Sequence, residues 1–167
     1  MRFLLLALLL AGCGAQAGAV PPPAGLGPTD QAYVDLVIPQ NESTLAVLAL
    51  AGPSLRPLAD RVEAQYRDEL ALVREVLART GKPENDLHEG HDMPGMVTAA
   101  ELTAARHAPE AEFDRRVEVL LRTQFEEART VARAEQASGT DRAVVELSAR
   151  VESTRTEFLA LLEEVRR

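Results

Sequence analysis

The stretch Leu58-Ala59-Asp60-Arg61-Val62-Glu63 returns 89 residues later as Leu147-Ser148-Ala149-Arg150-Val151-Glu152. In both copies apolar residues recur three to four positions apart, which is the spacing of one face of an α-helix. The segments before them match at an offset of 84, where Gln40 aligns with Gln124. Two related helical hairpins predict an all-α fold, a four-helix bundle with an approximate two-fold axis.

The predicted helix boundaries follow from glycines, prolines and capping residues. Gly81 and Pro83 end the second helix, and Thr98 with Glu101 has the spacing of a capping box that begins a short helix. The predicted helices cover residues 30–51, 57–80, 98–106, 109–138 and 141–167. A loop that contains Met93-Pro94-Gly95-Met96 therefore separates the two hairpins, together with the short helix.

The composition of the 167 residues agrees with an all-α domain. Only 4% of the residues are aromatic, whereas β-sandwiches and barrels depend on aromatic and β-branched side chains. The formal net charge of -8, without basic blocks, argues against nucleic acid as a partner. A single cysteine excludes an internal disulfide, a cysteine-based zinc site and an iron–sulfur cluster.

The N-terminus has the pattern of a targeting segment. Arg2 precedes an apolar run over residues 3–11, which is too short to span a bilayer but fits a secretory signal peptide. The run ends in Leu10-Ala11-Gly12-Cys13, which resembles a bacterial lipobox and implies cleavage before Cys13 and lipidation of its sulfur. The alternative is an ordinary signal peptide with an incidental cysteine.

Three regions follow from this pattern. Residues 1–12 are predicted to be a lipoprotein signal peptide, and residues 30–167 the helical domain. Residues 13–29 are rich in Gly, Ala and Pro, a composition that cannot bury a core and is typical of a tether.

Polar residues interrupt the inward-facing stripe of each long helix near its middle. Burial of an unpaired amide costs about 1–3 kcal/mol, so coincident interruptions predict a shared polar layer in the core. The alternative is that these positions lie at the stripe edges and reach water. A buried Glu69 would need a partner, such as Gln40, Gln124 or an arginine, or a raised pKa. The residues of the predicted layer are Gln40, Asn41, Gln65, Glu69, Gln124 and Thr154.

The loop between the hairpins contains a candidate metal site. His88, His91, Met93 and Met96 lie within nine residues, and imidazole and thioether ligands suit copper, particularly Cu(I). The alternative is a structural loop in which methionine fills space at the end of the bundle. Copper is therefore a possible cofactor, and no other cofactor is predicted.

No catalytic constellation is evident in the sequence. A carboxylate-bridged di-iron bundle needs Glu-X-X-His on its helices, and that motif does not occur. The chain also lacks a Gly-X-Ser-X-Gly nucleophile elbow and a phosphate-binding glycine-rich loop. We therefore expect a non-enzymatic protein.

The chain resembles the bacterial domain of unknown function 305 family. The shared features are the loop His91-Asp92-Met93-Pro94-Gly95-Met96, then Glu101-Leu102 and Phe113-Asp114, together with Val37-Ile38-Pro39 in the first helix and the lipobox. The resemblance implies a secreted or lipid-anchored, ferritin-like helical bundle.

The chain departs from that family at its paired histidines. Where the family has His-His in the first helix of each half, this chain has Gln40-Asn41 and Gln124-Phe125. Some family members are linked to copper through their His and Met residues. The resemblance therefore implies a divergent member that has lost the metal-binding layer, since amides are weak ligands for transition metals and phenylalanine is none.

These observations predict a membrane-anchored, extracytoplasmic lipoprotein that acts as a binding or accessory module of the cell envelope. Its expected partners are the membrane, through Cys13, and an envelope protein. A copper-handling protein that uses the loop over residues 88–96 is one alternative, and a carrier of a small apolar ligand between the hairpins is another. The sequence leaves the oligomeric state open.

Overall fold

The computed structural model describes residues 25–85, 88, 91, 93 and 95–166. This part of the chain contains helices and no strand, which confirms the predicted all-α class. The helices are α1 (Pro28–Leu48), α2 (Arg56–Thr80), α3 (Ala99–Arg106), α4 (Glu110–Ser138) and α5 (Arg142–Val165).

The largest differences from the predicted boundaries are in α1. It begins two residues early because Pro28 occupies its first turn and the Asp30 carboxylate accepts the Gly27 N–H at 3.0 Å. It ends at Leu48 rather than Ala51, because the N–H of Ala51 bonds to the carbonyl three residues earlier. The predicted end of this helix was therefore wrong: residues 49–51 form a turn before Gly52-Pro53.

The other helices lie close to their predicted bounds. Gly81 ends α2 in the left-handed conformation, with φ +70°, as expected for a glycine just past a helix. Thr98 begins α3 with a reciprocal capping box, since its hydroxyl accepts the Glu101 N–H at 3.2 Å and its own N–H donates to that carboxylate at 2.9 Å.

Each long helix packs mainly against two others. α1 packs on α2 and α4, and α5 packs on α4 and α2, while α1 and α5 also touch and the short α3 rests on α4. The buried side chains form two apolar clusters, one around Leu48, Tyr66 and Phe125 and the other around Val34 and Val73. Buried polar side chains occupy the intervening positions on α1, α2 and α5.

Part of the predicted organisation lies outside the described residues. The signal peptide over 1–12, the lipidation site at Cys13 and most of the tether belong to this part. Within the described residues, none of the helices combines the length and the apolar composition needed to cross a membrane.

Candidate functional site

A buried ion pair lies between the two apolar clusters. The guanidinium of Arg155 on α5 makes two hydrogen bonds to the carboxylate of Glu69 on α2, at 2.6 Å and 2.8 Å. Both side chains are at most 1% exposed. Asn41 of α1 completes the group, because its Oδ1 accepts from Arg155 at 3.1 Å and its Nδ2 donates to Glu69 at 3.1 Å. Three helices are thus joined by charge-assisted hydrogen bonds.

Two half-buried residues complete the surroundings of the Glu69 carboxylate. Gln65, one turn earlier on α2, donates to Oε1 at 3.2 Å. The Thr154 hydroxyl of α5 donates to the same oxygen at 3.4 Å and accepts from Arg155 at 3.0 Å. Glu69 therefore finds its partners inside the protein, and the principal one is an arginine.

The arginine also lies over an aromatic ring. Its guanidinium carbon is 3.8 Å from the centroid of the Tyr66 ring, a cation–π contact. Burial raises the pKa of Tyr66 to about 12, so its hydroxyl stays neutral. Burial alone would lower the pKa of Arg155, but attraction to Tyr66 and Glu69 outweighs it and the pKa is raised. Arg155 therefore stays protonated beside the Glu69 carboxylate.

A second polar group connects α1 and α4 to the loop between the hairpins. The Gln124 amide donates to the backbone carbonyl of Gly95 at 2.9 Å and accepts from the Thr44 hydroxyl. Gly95 is buried with φ +74°, and a Cβ there would lie 2.6 Å from Nε2 of Gln40. The Gly95 N–H donates to Glu127. Gln124 therefore binds the loop directly and Gln40 lies against Gly95. Asn41, the neighbour of Gln40, instead bonds to the Glu69–Arg155 ion pair.

The structure gives only part of the predicted copper loop. The N–H of His91 donates to the carbonyl of His88 at 3.1 Å, and the N–H of Met96 donates to the carbonyl of Met93 at 3.0 Å. His91 is exposed, while the other three side chains are half-buried. Within the described residues, no three His, Cys, Asp or Glu side chains are grouped so that they could hold a metal ion.

A groove of about 620 Å³ lies on the outer surface, between the first half of α4 and the end of α5. Val119 and Val165 line it and are 52% and 43% exposed. Arg115 lines this groove and also a neighbouring one of about 420 Å³ beside α3. Val119 and Val165 are the two large apolar side chains that are most exposed among the described residues.

Sequence reasoning missed several buried polar residues. The predicted polar layer includes Thr154, whereas the buried polar residue is its neighbour Arg155. The difference is one position, which is the uncertainty of a helical stripe drawn from sequence. The repeat could have indicated its burial, because Arg155 aligns with Tyr66, an aromatic residue, at the offset of 89. Asp30 and Glu135 were also missed; they lie near helix ends and are at most 1% exposed.

Comparisons with known proteins place the fold. The model of the family described as "Domain of unknown function (DUF305)" matches residues 30–166. The crystal structure of a DUF305 fragment from Deinococcus radiodurans superposes with a TM-score of 0.75 over 85% of this chain and 97% of the fragment. At 17% sequence identity this likeness shows a shared fold alone. A search of curated proteins gave no match.

Proposed function

The chain belongs to the DUF305 family, as its motifs predict, and on that premise we propose that it is a membrane-anchored, extracytoplasmic lipoprotein. Its helical domain would act as a non-enzymatic binding or accessory module of the cell envelope. In this proposal the four long helices form a ferritin-like four-helix bundle of two related hairpins, with the Met-Pro-Gly-Met loop between them.

The observation that carries the proposal is the hydrogen-bonded group around Glu69 and Arg155. Asn41 stands where the family resemblance implies a histidine, and it is hydrogen-bonded to both Glu69 and Arg155. The Glu69 carboxylate and the Asn41 amide are therefore engaged with Arg155 rather than free to bind a metal, although Arg155 Nε has no hydrogen-bond partner among the described residues. Function is then expected on the surface, where the α4–α5 groove exposes Val119.

The proposed anchor rests on the N-terminal sequence. Cys13 follows Leu10-Ala11-Gly12, and the first helix begins at Pro28. In this proposal the Gly-, Ala- and Pro-rich residues between Cys13 and Pro28 act as the tether that links the anchor to the helical domain.

Lipidation can be tested on the full chain in a bacterial host. We expect wild-type protein in the membrane fraction, with an intact mass that includes acyl chains. Cys13→Ser should lose both the added mass and the membrane association. An unmodified wild-type protein in the soluble fraction would contradict the anchor.

Surface binding can be tested by site-specific photo-crosslinking in cells. A crosslinking residue at Val119 should give a discrete adduct, whereas one at Arg142, whose side chain is 91% exposed, serves as the control. Equal adducts at both sites, or none at Val119, would argue against a binding role for this groove.

Copper handling is the second candidate, and two backbone hydrogen bonds support it. One holds His91 near His88 and the other holds Met96 near Met93, so each bond brings two of the four candidate ligands together. Cu(I) competition titration of Cys13→Ser protein, which has no competing thiol, tests the idea. Tight one-to-one binding should disappear when His88 and His91 become Ala and Met93 and Met96 become Leu. Equal affinity in both proteins would reject the site.

A further inference from the structure

Asp30 joins the beginning of α1 to the turn between α4 and α5. Its Oδ1 accepts the backbone N–H groups of Thr140 and Asp141 at 2.8 Å and 2.9 Å. Its Oδ2 accepts the Thr140 hydroxyl at 2.8 Å and the Gly27 N–H at 3.0 Å. Burial would raise the pKa of Asp30, but hydrogen bonds with the Asp141 backbone, with the hydroxyl and backbone of Thr140 and with Glu135 outweigh it and lower the pKa to about 2. The carboxylate is therefore ionised at neutral pH.

A second carboxyl group lies beside Asp30. Glu135, in the last turn of α4, is 1% exposed. Neither of its side-chain oxygens accepts a hydrogen bond from an N–H or O–H group of the described residues. Its Oε1 lies so close to Gly139 that a Cβ there would be 2.0 Å away. Burial, and then the neighbouring Asp30, raise the pKa of Glu135 to about 7.

The other ionisable groups at this end do not neutralise Glu135. Asp141 is itself acidic, and its pKa is lowered, against burial, by Arg79 of α2 and by backbone N–H groups of α5. Arg79 is engaged with that carboxylate at 3.0 Å. Tyr33 of α1 stays neutral because burial raises its pKa. Two adjacent carboxyl groups without a shared cation share a proton more readily than they both ionise.

We propose that Asp30 and Glu135 form a proton-dependent clasp. When Glu135 is protonated, its hydroxyl donates to the Asp30 carboxylate and α1 is held against the α4–α5 turn. When that proton is lost, the two carboxylates repel each other and the first turn of α1 loosens.

The position of the clasp gives it a consequence for the whole chain. The first turn of α1 is where the N-terminal segment joins the helical domain. The Glu69–Arg155 pair lies at mid-helix and involves neither clasp residue, so it continues to hold the rest of α1 through Asn41. Opening is therefore local, and it changes how the domain is held by the segment before it.

Hydrogen exchange of the full chain between pH 5.5 and 8.5 tests the clasp. After correction for the intrinsic pH dependence of exchange, peptides from 28–34 and 139–145 should lose protection by at least about tenfold in wild-type protein as Glu135 titrates. Peptides around Glu69 should keep theirs. Glu135→Gln should retain protection over the whole range, because an amide donates to Asp30 without titrating.

Glu126→Gln provides the matched control, since Glu126 is an exposed glutamate of the same helix. It should follow the wild-type profile. The same loss of protection in Glu135→Gln and wild-type protein would overturn the clasp. If Glu135→Gln does not fold, NMR titration of wild-type Glu135 decides, and a midpoint near the ordinary value of 4.5 would overturn it equally.

Discussion

Arg155 occupies the repeat position of Tyr66, and Glu69 occupies that of Phe158, so a charged residue and a ring exchange places between the two halves. In the folded chain these four residues lie close together: Arg155 contacts Tyr66 and Glu69, and Phe125 makes tilted ring contacts with both Tyr66 and Phe158. The Arg155 guanidinium thus lies between its carboxylate partner and an aromatic ring. The pair therefore distinguishes halves that the repeat makes alike.

Removal of the Glu69 carboxylate from the Glu69–Arg155 pair should lower the free energy of unfolding. Glu69→Gln leaves the Arg155 charge buried and uncompensated, and we expect a loss of about 3 kcal/mol in the free energy of unfolding. Urea denaturation measures it. The double change Glu69→Leu with Arg155→Met should recover most of that loss, because it removes both charges. Arg61→Ala, in an exposed pair with Glu157, is the control and should cost less than about 1 kcal/mol. An equally mild effect of Glu69→Gln would show that the pair does not stabilise the fold.

A comparison of Gly95 with Gly81 distinguishes the backbone strain of a side chain at positive φ from its steric clash with neighbouring atoms. Both glycines are left-handed, but a Cβ at Gly81 meets nothing within 4 Å, whereas one at Gly95 lies 2.6 Å from Gln40. Gly81→Ala should therefore cost only the backbone strain, about 1–2 kcal/mol. Gly95→Ala should cost more in thermal or urea unfolding and should expose the loop to protease. Equal costs would mean that Gln40 moves aside freely.

Sequence reasoning reached part of this site for physical reasons. Gln40, Asn41, Glu69 and Gln124 fall on apolar stripes, and helical periodicity directs such positions inward. Arg155 was missed because long cationic side chains are almost always at the surface unless paired, and its partner lies 86 residues away. Pairing across that distance depends on tertiary packing, which a single sequence does not specify.

At the scale of elements, helix ends were predictable where local chemistry determines them. Thr98 with Glu101 and the glycine at position 81 act within a few residues, so their motifs fix the ends of α3 and α2. The end of α1 was misplaced because nothing in residues 49–51 forbids a helix.

Pro39 lies inside α1 and weakens that helix. Proline has no N–H to donate to the carbonyl of Asp35, four residues earlier, and its ring crowds that carbonyl. Pro39→Ala should therefore raise the free energy of unfolding by as much as about 3 kcal/mol in urea denaturation. Asp35→Ala would be a poor control, since Asp35 accepts hydrogen bonds from Gln31 and Asn85. A destabilised Pro39→Ala would show instead that the proline ring stabilises the fold through its packing, beside the buried Gln40.

At the scale of the whole molecule, the three polar groups lie at two levels along the helices. The Asp30 and Glu135 pair is at one end, whereas the ion-pair group and the group around Gln124 share the middle of α1, where Asn41 stands between Gln40 and Thr44. Each group joins different helices, so apolar contact supplies the compactness while the polar groups fix which helices meet.

The stability of the whole molecule should therefore peak at mildly acidic pH. The pKa of Asp30 is lowered to about 2, so its stabilisation is complete above the ordinary value of 3.8 and is lost as pH falls through 2. The pKa of Glu135 is raised to about 7, so its contribution is complete below 4.5 and is lost as pH rises through 7. Urea midpoints measured from pH 2 to 9 should show a maximum near pH 4–5. Asp30→Asn should flatten the acid limb and Glu135→Gln the alkaline limb. A maximum that stays at neutral pH in wild-type protein would mean that the exposed charges, rather than these two carboxyl groups, set the profile.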